Sequence, residues 1–422
     1  MAVGIGILGG GNVGGSLARK LLTDREVIAT KAGLDLELIG VSVRDMGRDR
    51  EFPSEYATDR PEELINRPEV RLVVETMGGI EPANSLILSA LDSGKPVVTA
   101  NKELVAARGP ELFERAANKG VSLLYEAAVG GGIPIIRPLS ESLAGERLTR
   151  VTGIVNGTTN FILSTMEGSD ASYDEVLRQA QQLGYAEPDP SADVDGSDAA
   201  AKAAILAGLA FGSWVGSERV FKEGIETISK ADVENAARLG YVIKLLGLAD
   251  TVHGGVSVRV HPTLVPNDHP LASIRGAQNA IFVEGPAIGE LMFTGPGAGG
   301  APTATAVLGD VLTAARELLA DTQVSPRIRF GGASVVDFED VSNSWYIRLE
   351  VSDRPGVLAA IASVFGDHDV SIRSVWQEGL GDQATLLLIT HEGREGDHSA
   401  AVSAVDELPA VRQVAATIRV IT

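Results

Sequence analysis

The stretch "VGIGILGGGNVGGSLARKLLT", residues 3–23, decides the fold. Its first six residues are a continuous apolar run rich in Val and Ile, the pattern of a strand buried on both faces. A glycine turn follows, and then apolar residues recur at helical spacing over about 13–23. Gly9, Gly11 and Gly14 stand as G-x-G-x-x-G between that strand and that helix. In this context the glycines admit a pyrophosphate to the backbone and to the helix N-terminus, which favours negative charge. A lone G-x-G-x-x-G is weak. One set between a strand and a helix at the head of a βαβ series is strong.

The series continues. "LELIGVSV" (36–43), "RLVVET" (71–76), "KPVVTA" (95–100) and "VSLLYEA" (121–127) read as strands with helical stretches between them. Strands alternating with helices imply a parallel sheet. The fold class is α/β, with a Rossmann-type dinucleotide-binding domain first. The end of the second strand selects the nucleotide. It reads "SVRD": Arg44 can pair with a 2′-phosphate, which favours NADP, while Asp45 could take a ribose hydroxyl and keeps NAD open.

From about 138 to 300 the pattern changes to an α+β domain. "RVTGIVNG" and "GGVSVRVHPTLV" read as strands; "SYDEVLRQAQQLG", "DAAAKAAILAGLAFG" and "DVENAARLGYVIKLLG" read as helices. "TGPGAGGAPTATAVLGDVLTAARELL" is a Gly/Pro loop leading into a helix that returns to the first domain. Residues 330–344 read as a linker. The tail from 345 has the order β-α-β-β-α-β, the ferredoxin-like arrangement. The domains expected are therefore 1–137 with about 300–325, then 138–300, then 345–422.

Bulk properties exclude several functions. The 422 residues carry a net charge of −20 and 22% charged residues. That balance argues against nucleic acid, whose phosphates need a basic face, and against an anionic membrane surface. There is no cysteine, which excludes disulfides, thiolate-bound zinc and a thiol nucleophile. No apolar run reaches the ~18–20 residues of a membrane span, and no secretory leader is legible at the N-terminus, so a cytoplasmic protein is expected.

A nicotinamide enzyme needs a group to handle the proton on the reacting oxygen. The six histidines fall late in the chain, in no evident catalytic constellation. Lysine is left. Lys102 follows the fourth strand, where parallel sheets bind ligands. Lys202 ends "GYAEPDPSADVDGSDAAAK" (184–202), whose acids are Glu187, Asp189, Asp193, Asp195 and Asp198. Asp198 and Lys202 are spaced i,i+4 on a helix rich in Ala, Ile and Leu, so they share one face of a buried element. A calcium loop is excluded: an EF-hand register would begin at Ser191 and put Lys202 where the bidentate glutamate belongs. A solvated-surface role suits Asp189 and Asp195.

Seven stretches in order resemble the homoserine dehydrogenase family over nearly the whole chain: "GILGGGNVG", "ETMGG" (75–79), "TANKELVA" (99–106), "YEAAVGGGIPII" (125–136), "GIVNGTTNFIL" (153–163), "LGYAEPDPSADVDGSDAAAK" (183–202) and "GPGAGGAPTATAV" (295–307). The tail, with "DRPGVLAAIASVF", is similar to an ACT domain. No kinase-like segment precedes the dinucleotide domain, so the monofunctional, ACT-bearing type is expected.

The resemblance implies NAD(P)-dependent interconversion of L-aspartate 4-semialdehyde and L-homoserine, within threonine, methionine and isoleucine biosynthesis. It implies catalytic roles for Lys202, Lys102 and Asp198, with Lys202 supplying the proton. Substrate contacts would come from Glu187, Asp193, Asp198, Gly157 and Thr158. Cofactor contacts would come from Gly9, Gly11, Asn12, Val13, Gly14, Arg44, Thr76, Gly78, Thr99, Ala100, Lys102 and Gly297. Main-chain oxygens around Glu126, Val129, Gly131 and Ile133 would hold a monovalent cation, Na+ or K+. In the tail, Asp353, Pro355, Gly356 and Val357 would bind an amino-acid effector, with L-threonine the leading candidate. A homodimer or homotetramer is implied.

Overall fold

The computed structural model describes residues 2–320, 322, 330–331, 334–379 and 384–421. Two compact units emerge: Met1–Val151 with Ala204–Arg219 and Asn279–Gly332, and Thr152–Ala203 with Val220–Gln278 and Ala333–Thr422.

The first unit holds strands β1 (Val3–Leu8), β2 (Leu36–Ser42), β3 (Ala57–Thr58), β4 (Leu72–Glu75), β5 (Val97–Thr99) and β6 (Leu123–Leu124). They form one parallel sheet in the order β3-β2-β1-β4-β5-β6. That is the doubly wound order whose ligands bind beyond the strands' carboxyl ends. Strand β6 is shorter than the 121–127 reading, because Glu126–Ala128 turn as a 3₁₀ helix. Two cores flank the sheet. One includes Val3, Ile5, Ile7, Val41, Val74 and Val98 with Val307, Val311 and Ala314. Those last three lie on helix Gly300–Ala320, so the late helix packs on the first strands.

The second unit contains most of β7 (Arg150–Ile154), then β8 (Phe221–Lys222), β9 (Tyr241–Val252) and β10 (Gly255–Pro266). β11 (Gln278–Gly285) and β12 (Gly289–Pro296), neighbours in a sheet, follow in the chain and fall almost wholly in the first unit. The tail supplies β13 (Ser342–Val351), β14 (Ile372–Glu378), β15 (Ala384–Thr390), β16 (Gly393–Arg394) and β17 (Val411–Val420). In the second unit the strand order runs β7-β9-β10-β17-β13-β15-β14. The tail's sheet is thus continuous with that of the preceding domain, through the parallel pairing of Thr263 with Arg419 and Leu264 with Val420. Helices Val357–Asp367 and Glu395–Asp406 complete the tail's β-α-β-β-α-β order.

One reading needs correction. The helix expected over "DVENAARLGYVIKLLG" ends at Arg238, and the rest is strand β9. Gly240 breaks it at φ 86°, and the β-branched Val242 and Ile243 then favour a pleated surface. In the expected linker, Ser334 O accepts Val256 N–H, and Val336 N–H donates to Val256 O. Among the described residues no helix is long and apolar enough to cross a membrane.

Candidate functional site

In the first unit the glycine turn is a cradle. Gly9 adopts φ 102°, which side chains disfavour. A Cβ on Gly14 would lie 1.9 Å from Gly9 O, so helix and strand can meet only at glycine. Gly11 caps helix Asn12–Thr23, and a Cβ there would meet nothing within 4 Å. The open side of the helix N-terminus therefore faces a cavity of about 580 Å³, within the range of a cofactor site. The residues fit a dinucleotide. Arg44, Arg48 and Arg50 all line this cavity. Arg50 donates to the carbonyls of Arg48 and Asp45, fastening the loop. The Asp45 carboxylate accepts Gly47 N–H at 2.9 Å, so it closes a turn. Arg44 was legible as the residue after a strand; Arg48 and Arg50 were not, since their approach depends on that turn.

Beyond β4, Thr76 donates to Gly9 O at 2.8 Å and lines the same cavity. Gly78 takes φ 76°. Thr99 was expected to line the cofactor; it is fully buried and donates to Glu75 at 2.5 Å. Glu75, missed in the sequence, accepts Met77 N–H at 2.7 Å and Gly78 N–H at 3.3 Å, folding the loop after β4. Burial raises its carboxyl above the usual carboxylate range, against the hydrogen bond from Thr99. Asn101 caps helix Lys102–Lys119, so Lys102 opens that helix half-buried, two residues past Ala100. Gly297 is not among the residues lining the cavity; its carbonyl packs on Gly131, where a Cβ would come within 2.3 Å.

The loop of the expected cation site is buried. The Glu126 carboxylate accepts the N–H groups of Ile135, Ile136 and Arg137 at 2.6, 2.8 and 3.1 Å, so its side chain caps the next helical turn. Asp310 accepts Glu126 N–H and Arg137 at 2.7 Å each. Burial pushes Asp310 up to about 7. Among the described residues the carbonyls of Val129, Gly131 and Ile133 take no part as acceptors in the loop's backbone bonding. Those oxygens could hold a hard cation.

The second unit gathers the acids and Lys202. Helix Ser197–Phe211 puts Asp198 and Lys202 one turn apart, and Lys202 Nζ donates to Asp198 Oδ2 at 2.6 Å. It donates again to Val155 O at 2.7 Å. The pair's side chains are only 11% and 8% exposed, which separates it from a surface bridge of little value. Asn156, 4% exposed, donates to Asp193 Oδ1 at 2.7 Å and to Asp198 Oδ2 at 2.9 Å. Burial raises the Asp193 carboxyl, helped by the Asp198 charge and opposed by the bond from Asn156. Two carboxylates thus gather with the Lys202 ammonium around one amide, and carboxylates are groups that a cationic ligand could meet.

Asn156 also caps helix Gly157–Gly168. The N–H groups of Gly157 and Thr158 open that helix, an end that favours an anion. Gly157 must be glycine, because a Cβ would meet Ala277 O at 2.7 Å. Thr158 Oγ1 is committed to Tyr185 O at 2.6 Å. Glu187 is not drawn in: it lies exposed on the Pro-flanked loop, outside this hydrogen-bonded cluster among the described residues. Asp189 and Asp195 are surface acids with local tasks, accepting Ser191 N–H and Ser197 N–H ahead of two helices.

In the tail, Asp353, Gly356 and Val357 line a cavity of about 80 Å³ with Gln377 and Leu386; Pro355 does not. Gly356 caps helix Val357–Asp367 at φ 93°, and Asp353 Oδ1 accepts Gln377 Nε2 at 2.9 Å.

The chain is similar to known proteins along its length. A family profile described as "Homoserine dehydrogenase, NAD binding domain" matches residues 9–126, one described as "Homoserine dehydrogenase" matches 134–312, and one described as "ACT domain" matches 345–410. The homoserine dehydrogenase of Mycobacterium tuberculosis is 46% identical, over 99% of this chain and 97% of that one. That of Synechocystis sp. is 44% identical over 100% of both. A crystal structure of a homoserine dehydrogenase from Thiobacillus denitrificans matches with a TM-score of 0.94 at 39% identity, covering 100% of this chain and 98% of that one. A hyperthermophilic archaeal homoserine dehydrogenase in complex with NADPH matches with a TM-score of 0.63 at 30% identity, covering 75% and 98%.

Proposed function

The chain belongs to the homoserine dehydrogenase family and is an oxidoreductase acting on a CH–OH group, and from that premise we propose that Lys202 handles the proton as L-homoserine and L-aspartate 4-semialdehyde interconvert. The observation that carries this reading is the buried cluster of Asp193, Asn156, Asp198 and Lys202. Asp198 and Val155 O hold two of the three Lys202 N–H bonds; among the described residues the third is left for the reacting oxygen. In the reducing direction the ammonium gives its proton to the aldehyde oxygen as charge develops there. In the oxidising direction the amine takes the hydroxyl proton. The nicotinamide, when bound, delivers or accepts the hydride. Asp193 and Asp198 face the substrate α-ammonium, and the N–H groups opening helix Gly157–Gly168 receive its carboxylate. Lys102 is the second candidate, on the family match.

NADP is the proposed preference. Arg44 and Arg48 supply positive charge at the cavity, while Asp45 is occupied by Gly47 N–H. The archaeal relative's structure in complex with NADPH supports this. Homoserine-dependent reduction of NADP and of NAD tests the whole reading. Activity with neither sinks the function; activity with NAD alone sinks only the preference.

Three finer proposals rest on the family. Na+ or K+ sits on the carbonyls near Val129, Gly131 and Ile133. An amino acid, L-threonine first, binds beside Asp353 and Gly356 and inhibits, as end product of the biosynthetic route this reaction feeds. Copies of the chain assemble as a homodimer or homotetramer, with the 138–300 domain as the dimerisation part.

A further inference from the structure

We infer that Asn156 is a positioning residue for the proton-transfer lysine, and that its neutral amide sets the charge of the substrate site. This deepens the proposed role of Lys202 and rests on it.

The orientation of the amide is fixed by its partners. Thr159 N–H can only donate, so the atom it meets at 2.9 Å is Asn156 Oδ1. Ionised carboxylates only accept, so the atom facing Asp193 and Asp198 is Nδ2. All three polar bonds of the side chain are therefore assigned, in a residue 4% exposed. The two Nδ2 hydrogens go to two different carboxylates. One of the acceptor atoms, Asp198 Oδ2, is the same oxygen that receives Lys202 Nζ. The residue before it, Val155, holds Nζ through its carbonyl. Val155 and Asn156 together thus fix Lys202 from two sides, once directly and once through Asp198.

The neutrality of the amide matters as much as its reach. Two carboxylates sharing a site repel, and one of them would take up a proton unless donors hold both. A lysine or arginine at position 156 would hold them but cancel the negative charge offered to the substrate ammonium. An aspartate would add a third charge and supply no donor. Asparagine supplies both N–H bonds and leaves the charge unchanged. Its Oδ1 meanwhile caps the helix whose N-terminus is proposed to receive the substrate carboxylate, so one side chain aligns both ends of that site.

Asn156→Asp and Asn156→Ser separate this role from simple capping, since both can still cap Thr159 N–H. In Asn156→Asp the added charge stabilises the Lys202 ammonium. The ascending limb of the pH profile of kcat for homoserine oxidation should move up by about one pH unit. In Asn156→Ser both donors are lost, and kcat should fall about 10- to 100-fold with a smaller change in KM. Parental kcat and an unmoved limb in folded variants would overturn the inference and leave Asn156 a helix cap. If Asn156→Asp does not fold, Asn156→Ser in a Lys202→Ala background decides. No further loss there supports the inference, and a full multiplicative loss overturns it. Lys202→Ala alone distinguishes the two claims: near-parental turnover means the lysine assignment has failed, whereas loss of turnover with an unmoved limb in Asn156→Asp means only the asparagine has.

Discussion

Lys202 has two of its three N–H bonds fixed by protein oxygens, so its remaining proton has a defined direction. Removing it should strike the chemical step rather than substrate binding, because Asp193 and Asp198, the proposed partners of the substrate ammonium, stay in place. Lys202→Ala is expected to lower kcat about 10²- to 10⁴-fold, the range for a lost general acid, with KM for homoserine moving far less. Steady-state kinetics in both directions check this, and a KM effect larger than the kcat effect would make Lys202 a binding residue. The pair was legible because an i,i+4 Asp–Lys on an Ala-rich helix has few bland readings. Asn156 was not legible as a bridge, since its carboxylates lie 37 and 42 residues away. Glu187 looked equal to Asp193 in sequence. Only the path of the loop between Ala186 and Val194 decides which carboxylate turns inward.

At the scale of elements, the helix at Ser197 and the glycine-turn helix were legible from period and punctuation. Strand β9 was not. The run "YVIKLL" carries one lysine in an apolar stretch, which reads as the polar stripe of a helix. In the structure Lys244 is 1% exposed. Its Nζ donates to Asn160 Oδ1 at 3.0 Å and to Ile274 O at 2.5 Å. Asn160 in turn donates to the carbonyls of Gly276 and Gln278, so the buried lysine and asparagine fasten the 274–278 loop. Burial pulls Lys244 down to about 8. Lys244→Met keeps the length but takes the donor from the buried Asn160 Oδ1 and leaves Ile274 O only the 3.4 Å bond from Asn160 Nδ2, at a cost of about 1–3 kcal/mol. Its thermal midpoint should fall. Between about 8 and 10.5 the unfolded lysine holds a proton that the folded one has released, so parental stability rises with pH across that window relative to the variant. Denaturant melts of both proteins at pH 7.5 and 9.5 check the sign; a parental advantage that shrinks with pH would refute it.

The ferredoxin-like order of the tail was legible because each of its elements is short and bounded by turns. Its continuity with the preceding sheet was not, because that pairing joins residues far apart in sequence, such as Thr263 and Arg419. Within the second unit, Arg419 pins three segments together. Its guanidinium lies 4.6 Å from the Trp345 ring, 5.3 Å from Phe338 and 5.5 Å from Phe221. It pairs with Glu395 at 3.2 Å and with Glu223. Trp345 and Glu395 belong to the tail, Phe338 to the connecting stretch, and Phe221 and Glu223 to the domain before it. Arg348 on β13 adds a second tie, meeting the fully buried Asp232 at 2.7 Å. The effector proposed to bind beside Asp353 would therefore act on a sheet that the preceding domain shares. Arg419→Met removes the cation from Glu395, which is 2% exposed and keeps only the neutral donors Asn343 Nδ2 and Trp345 Nε1. Losing one partner of a buried pair is expected to cost about 3–5 kcal/mol. Because the loss falls where the two parts of the sheet meet, it should also divide their unfolding. The expected outcome is an early calorimetric transition for the tail, ahead of the main one, together with a weaker response of activity to threonine. A single transition at the parental midpoint would show that the shared strand pairing alone keeps the two parts cooperative.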